Sequence, residues 1–247
     1  MTRLFTVCAV VGGLLASPAQ AQQTARKTPT ASEVKKAVEH LASLPHGEGD
    51  NGEAVGYVAR KVVAYLKAHR LDDDQANELG LTIWAASDDQ AQLCVYYFSH
   101  DSGGTRGTVD NVVLQWQNAA GKLFAYHLPV ECAFTELHPL KTSGRRMYLL
   151  LGREKANTFC LAFTAYVLEL KGDYLILDNQ VFSVNGYSNK NELSACNVEM
   201  TFDPVQQLLS VDIDDGIPER EEGDGYSTEP FKPFKLLFQH GRFVPLR

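Results

Sequence analysis

The spacing of apolar residues along the chain changes near residue 80. In residues 34–44 and 55–66 apolar side chains recur every three or four positions, which is the spacing of amphipathic helices. From Leu81 onward they alternate with polar residues or form short continuous runs, which is typical of strands. The pattern therefore predicts a helical pair over residues 31–79 and an antiparallel β domain over residues 80–247.

The helical segment contains two predicted helices. The first begins with a capping box, in which the side chains of Thr30 and Glu33 each bind the other residue's backbone N–H, and it ends at Pro45. The second covers residues 53–69, and a short glycine-rich loop joins the two helices, so an antiparallel pair is expected. Asp72 then begins a polar connection.

The longest apolar stretch of the β domain, residues 145–182, predicts three strands. The last two of these strands are joined by a turn at Lys171-Gly172-Asp173. Residues 149–151 and 159–170 lack clean alternation, which is expected of strands that are covered on both faces. These strands are therefore predicted at the centre of the sheet, with the N-terminal helices over one side.

Three hairpins are predicted from alternation on either side of a turn. They cover residues 112–128 around Gly121, residues 198–213 around Asp203–Gln206, and residues 234–243 around His240-Gly241. The first is expected to have one apolar face. About ten strands with short connections favour a mainly β, α+β fold. The expected architecture is an antiparallel meander that forms a sandwich or curls into a barrel.

The N-terminus has the layout of a secretory signal peptide over residues 1–21, with a basic start, an apolar core and a small-residue cleavage site. Residues 22–30 are expected to form a flexible leader. The mature chain is then exported to the periplasm or the extracellular space, and no later run is long and apolar enough for a membrane span. Cleavage removes one arginine, so the formal charge of −7 becomes −8, which disfavours nucleic acid as a partner.

Four cysteines remain after cleavage, an even number for an oxidising compartment: Cys94, Cys132, Cys160 and Cys196. All four fall in predicted strands, where buried thiols also occur, so disulfides and free thiols are both open. Four cysteines allow three connectivities, and the sequence does not choose among them. The chain has no CxxC motif, so neither a redox motif nor a structural zinc site is predicted.

Residues Asp101-Ser102-Gly103-Gly104 match the string around the nucleophile of chymotrypsin-like serine proteases. That chemistry also needs a histidine base, an orienting carboxylate and oxyanion donors. No histidine here lies in the Ala-Ala-His-Cys context of those enzymes. A glycine turn between two strands is the favoured interpretation. The alternative is a loop-built hydrolase in which Asp101 and Ser102 meet a distant histidine.

Several short motifs surround this turn. They are Tyr97-Phe98-Ser99-x-Asp101, Gly103-Gly104-Thr105, Asn111 and Gln115 in the next strand, Tyr148-Leu149-Leu150, and the C-terminal aromatic-Gly-x-Phe hairpin. Together they resemble a pattern in uncharacterised secreted bacterial β-rich proteins. The resemblance implies a secreted β-rich fold with a turn at Gly103-Gly104, and it implies no catalytic residues.

Other residues bear on ligand binding. The stretch Asp212–Asp224 holds seven acids, but its spacing departs from the EF-hand pattern, so an acidic surface loop is favoured over a calcium site. His127 and Glu131 are four apart, yet Pro129 between them rules out a metal-binding helix. No metal or cofactor site is predicted. Six aromatic residues could stack on sugars: Trp84, Trp116, Tyr96, Tyr97, Tyr187 and Tyr226. An aromatic residue in an alternating strand is, however, more often part of the core.

The leading hypothesis is a secreted or periplasmic, non-catalytic β-rich protein that binds an unidentified ligand or partner or has a structural role. The alternatives are the hydrolase that uses Asp101 and Ser102 and a calcium-dependent adhesive module that uses the Asp212–Asp224 loop.

Overall fold

A computed structural model describes residues 27–44, 51–103, 107–157, 160–184, 191–213 and 232–246. The predicted signal peptide lies outside the described residues, as does most of the predicted leader. The helices are α1 (Ala31–Ala42), α2 (Asn51–Leu66) and α3 (Asp73–Glu78). The strands are β1 (Thr82–Ala86), β2 (Cys94–Asp101), β3 (Thr108–Gln117), β4 (Leu123–His127), β5 (Ala133–Leu140), β6 (Arg146–Asn157), β7 (Cys160–Lys171), β8 (Tyr174–Ile176), β9 (Glu192–Cys196), β10 (Val198–Asp203), β11 (Leu208–Ile213), β12 (Phe234–Gln239) and β13 (Arg242–Pro245).

The fold is mainly β with an N-terminal helical segment, as the sequence predicts. The predicted capping box starts α1, where the side chain of Thr30 accepts from the backbone N–H of Glu33 and Glu33 returns the bond. The structure corrects the helical pair by adding α3, where a polar connection was expected. Asp72 caps this helix together with Gln75. Only Ala76 of its six residues is buried, so the helix carries no apolar period that the sequence could reveal.

The strands form three antiparallel sheets. The first sheet has the order β1-β2-β3-β4, and the outer sheet has the order β10-β11-β12-β13. The central sheet has the order β5-β6-β7-β8, with β9 also paired to β7. All three predicted hairpins are present, with turns at Gly121, at residues 204–207 and at His240-Gly241. The barrel alternative is wrong, because the strands divide into separate sheets and none of the three closes on itself.

The sheets are stacked, and alternate residues of one strand belong to different cores. In β2, Tyr96 packs with the helices whereas Tyr97 packs against the central sheet. In β6, Leu150 faces the first sheet whereas Leu149 faces the outer sheet. The resulting order of layers is helices, first sheet, central sheet and outer sheet.

This stacking corrects two expectations. The helices do not cover the central strands β6 and β7, because they pack on the first sheet and share its buried cluster. The β3–β4 hairpin does not have a single apolar face, because Val113 packs under the helices while Val112 and Leu114 pack against the central sheet. Continuous apolar runs thus did indicate coverage on both faces, and here the covering layers are other sheets.

Buried polar side chains connect these layers. Gln115, fully buried in β3, donates from Nε2 to the carbonyl oxygens of Leu66 at 2.5 Å and His69 at 2.7 Å, and so caps the C-terminal end of α2. The hydroxyl of Tyr97 in the first sheet donates to the carbonyl of Phe134 in β5 at 2.9 Å and accepts from the N–H of the same residue. The bonds of Gln115 hold the first sheet to the helical layer, and those of Tyr97 hold it to the central sheet.

A charged pair fastens the start of β6 to β7. Arg145 donates from Nε to Glu169 Oε1 at 3.1 Å and from Nη2 to Oε2 at 2.5 Å, and Asn179 Nδ2 donates to Oε2 at 3.0 Å. These bonds stabilise the ionised carboxylate and hold the pKa of Glu169 below its ordinary value. The guanidinium also lies over Gly241, where a Cβ would be 2.7 Å from Nη1.

The cysteines divide into one disulfide and two thiols. Cys160 at the start of β7 is bonded to Cys196 at the end of β9, and their Cα atoms are 5.1 Å apart. Cys94 and Cys132 are buried free thiols, and burial raises the pKa of both. The expectation that all four lie in strands is wrong for Cys132, which precedes β5 in the connection from β4. Across the described part of the chain, no helix is both long and apolar enough to cross a membrane.

Candidate functional site

A groove of about 410 Å³ lies where the chain passes from the first sheet to the central sheet. Its described lining comes from α2, from β3 and β4, from the connection between β4 and β5, and from β6. The lining residues are Val55, Asn111, His127, Leu128, Pro129, Val130, Glu131 and Glu154. The groove therefore combines an apolar wall with an amide, an imidazole and two carboxylates.

The connection between β4 and β5 lines the groove, and its position is fixed at its start by Leu128. The N–H of Leu128 donates to the carbonyl of Val112 at 2.9 Å, and the Leu128 side chain is fully buried. Pro129 has no N–H to donate to a ladder and ends the strand pairing. The next residues continue along the groove until Cys132 enters the core between the sheets.

Asn111 presents an acceptor to the groove, because both of its N–H groups are already used. The residue is 2% exposed, and its Nδ2 donates to the carbonyl of Phe98 at 3.2 Å. The same nitrogen lies 3.0 Å from Nδ1 of His100, which accepts when the histidine is neutral and protonated on Nε2. The amide oxygen is the part of Asn111 that remains for a ligand.

His127, the last residue of β4, contributes a neutral imidazole. Its ring packs on Phe98 with centroids 6.1 Å apart and an interplanar angle of 29°. Burial lowers the pKa of His127 from its ordinary value, because a charged ring would lose hydration there. At neutral pH the ring therefore offers one donor and one acceptor nitrogen.

Glu131 and Glu154 add two carboxylates from different elements, the connection after β4 and the strand β6. Ionised carboxylates are acceptors only, each with about four lone-pair positions. Among the described residues that line the groove, none is a lysine or an arginine. Within the described ranges, no three histidine, cysteine, aspartate or glutamate side chains come together as a metal site.

Ser102, the nucleophile of the hydrolase hypothesis, is hydrogen-bonded within its own loop. Ser102 follows β2, and its hydroxyl donates to the carbonyl of Gly107 at 2.9 Å, as does its backbone N–H. Asp101 accepts from the N–H of Gly103 at 2.8 Å, and Gly103 has a φ of +71°. The neighbouring His100 lies on the helix side of the sheet beside Asn111. These bonds are those of a turn between two strands and give the hydrolase hypothesis no support.

The other predicted ligand-binding residues are mostly buried or outside the described part of the chain. Trp116, Tyr96 and Tyr97 are at most 3% exposed, so none of them offers a face to a sugar, while Trp84 on β1 is 47% exposed. Tyr187, Tyr226 and most of the Asp212–Asp224 loop lie outside the described residues. The calcium hypothesis therefore stays a prediction.

Sequence reasoning identified His127 and Glu131 but dismissed them, because Pro129 excludes a helix. The structure places both in one groove, since an extended connection can also follow a common surface. The other two polar lining residues, Asn111 and Glu154, carry no local signal. They lie in strands, and only the stacking of two sheets brings them together.

The fold and the site together define a four-layer, mainly β protein with a polar groove at a strand end. Comparison of the chain with protein-family models, with curated proteins and with solved structures gives no match.

Proposed function

We propose that this chain is an exported, non-catalytic binding protein and that the groove between α2, β4 and β6 holds a small polar ligand. The supporting observation is the groove itself, about 410 Å³ in volume, in which Asn111, His127, Glu131 and Glu154 converge. A cavity of this size with an apolar wall and few polar groups is typical of small-molecule sites. The rival hydrolase that would use Ser102 has less support, because the hydroxyl of Ser102 is hydrogen-bonded within its own loop.

Export is part of the proposal and has two supports. The first 21 residues have the layout of a signal peptide, and a disulfide joins Cys160 to Cys196. Mass spectrometry of the protein from its native host tests this point. We expect a mature N-terminus at Gln22 and two, not four, thiols that react with alkylating reagent after denaturation.

Binding is tested by NMR with a panel of small cations, anions and neutral polyols. We expect one class of compound to shift the backbone amide signals of residues 127–131. The variant Pro129→Trp places an indole in the groove and should abolish those shifts. Pro204→Trp, in the exposed turn after β10, is the matched control and should leave them unchanged. A panel that shifts no groove signal in the wild-type protein would contradict the proposal.

A further inference from the structure

The polar atoms that the groove presents to a ligand are mainly hydrogen-bond acceptors. Asn111 has committed both N–H groups to Phe98 and His100 and can offer its oxygen. Glu131 and Glu154 offer carboxylate oxygens, and a neutral His127 offers one acceptor nitrogen. A complementary ligand must therefore be rich in donors.

The charge of the groove agrees with this pattern. Both carboxylates have interactions within the protein, and an ionised carboxylate has about four lone-pair positions in all, so it can accept from more than one donor. The formal charge of the whole chain is −7, so the surrounding field also attracts cations. An ammonium group supplies three donors and a positive charge in one small unit.

Apolar residues also line the groove. Val55 of α2 and the connecting residues Pro129 and Val130 border the same space and are partly or fully exposed. A ligand that carried only charge would leave these residues in contact with water, whereas a carbon chain of several atoms would cover them.

We propose that the ligand of this groove is an organic primary ammonium with an apolar chain. The ammonium lies among Asn111, Glu131 and Glu154, and the chain lies along Pro129 and Val130. This inference rests on the binding function proposed above and specifies its ligand class.

The test compares three probes of equal length, n-hexylammonium, n-hexanol and hexanoate, by NMR titration of the mature protein. We expect n-hexylammonium to bind at least ten times more tightly than n-hexanol, and hexanoate to cause no shift at residues 127–131. Raising the salt concentration should weaken the binding of the ammonium, because salt screens exposed charges.

Variants of nearly the same shape but without the negative charge test whether the two carboxylates bind the ammonium. Glu131→Gln and Glu154→Gln should each weaken the binding of n-hexylammonium several-fold, while Glu199→Gln, on the exposed face of the outer sheet, should not change it. Thermal melting of each variant checks that it folds. If n-hexanol or hexanoate binds as tightly at residues 127–131, the ammonium inference is overturned while the binding function stands. If no probe of this set or of the wider panel shifts those signals, both proposals fail.

Discussion

The buried amide of Gln115 is the contact whose loss should most clearly separate the helices from the first sheet. The side chain is fully buried and donates two hydrogen bonds, one to the carbonyl of Leu66 at the end of α2 and one to the carbonyl of His69 in the turn after it. Its oxygen accepts from the hydroxyl of Tyr96 at 3.0 Å. We consider the substitution Gln115→Leu, which keeps most of the volume and removes all three bonds.

The expected cost follows from the groups left behind. The carbonyl oxygens of Leu66 and His69 lose this partner in a buried or partly buried region, and each such group costs about 1–3 kcal/mol. The hydroxyl of Tyr96 loses one bond but keeps the carbonyl of Leu71 within reach at 3.5 Å. Burial of the leucine side chain offsets part of this loss. We therefore expect Gln115→Leu to lower the free energy of unfolding by about 4 kcal/mol, a large fraction of the total for a typical domain.

Urea denaturation followed by tryptophan fluorescence measures this change. Gln117→Leu is the matched control, since Gln117 lies on the same strand and makes one exposed bond to the carbonyl of Gly121 at 2.8 Å. We expect the control to cost about 1 kcal/mol or less. Amide hydrogen exchange should also quicken at residues 67–70 in Gln115→Leu alone. Equal destabilisation by both variants, with unchanged exchange at the end of α2, would refute the capping role of Gln115.

Three further predictions concern the central sheet. Gly152→Ala should lower the free energy of unfolding by about 3 kcal/mol and the thermal midpoint with it, because the new Cβ would lie 2.3 Å from a backbone oxygen of β5. Gly56→Ala inside α2 meets no such contact and should leave the protein as stable or stabilise it by up to about 1 kcal/mol. Reducing the disulfide between Cys160 and Cys196, which closes a separation of 36 residues, should cost about 4 kcal/mol in urea unfolding. The lowered pKa of Glu169 stabilises the fold above pH 4.5 and this contribution is lost as the pH falls through the folded pKa. Glu169→Gln should therefore be less stable than the wild type at pH 7 and should show a shallower loss of stability on acidification below pH 4.5.

Each of these predictions has an outcome that would contradict it. A Gly152→Ala protein as stable as Gly56→Ala would mean that β5 can move away from β6 without cost. An unchanged midpoint on reduction would mean that β9 gains nothing from its covalent bond to β7. Parallel pH profiles for the wild type and Glu169→Gln would show that the carboxylate titrates alike in the folded and unfolded chains.

The hairpins could be predicted from the sequence because their signals are local. Alternation on both sides of Gly121 and of Gly241 sets the register, and both glycines adopt a positive φ of 78° and 79°. No local pattern in the sequence shows which layer packs on which face of a sheet. Continuous apolar residues in β6 and β7 showed that both faces are covered, but the covering layers come from segments far away in the chain.

Gln115 shows the same limit for a single residue. Its place among the alternating residues of β3 suggested the polar side of a hairpin, yet it lies under the helices. An amide can be buried when all its bonds are made inside the protein, and those bonds go to Leu66 and His69, which no pattern near β3 reveals. The groove was missed for a similar reason, because Asn111 and Glu154 meet only when two sheets stack.

Because both faces of the central sheet are covered by other layers, its apolar residues stay exposed during folding until both covering layers have formed. One side of this sheet is closed by the outer sheet, whose strands β10–β13 all follow it in the sequence, and Phe238 and Phe243 of that sheet join its apolar cluster. Until the outer sheet is in place, a nascent or truncated molecule exposes Leu149 and its apolar neighbours, which makes it prone to aggregate. A premature stop near the C-terminus should accordingly harm yield through aggregation, even though it removes no residue of the groove.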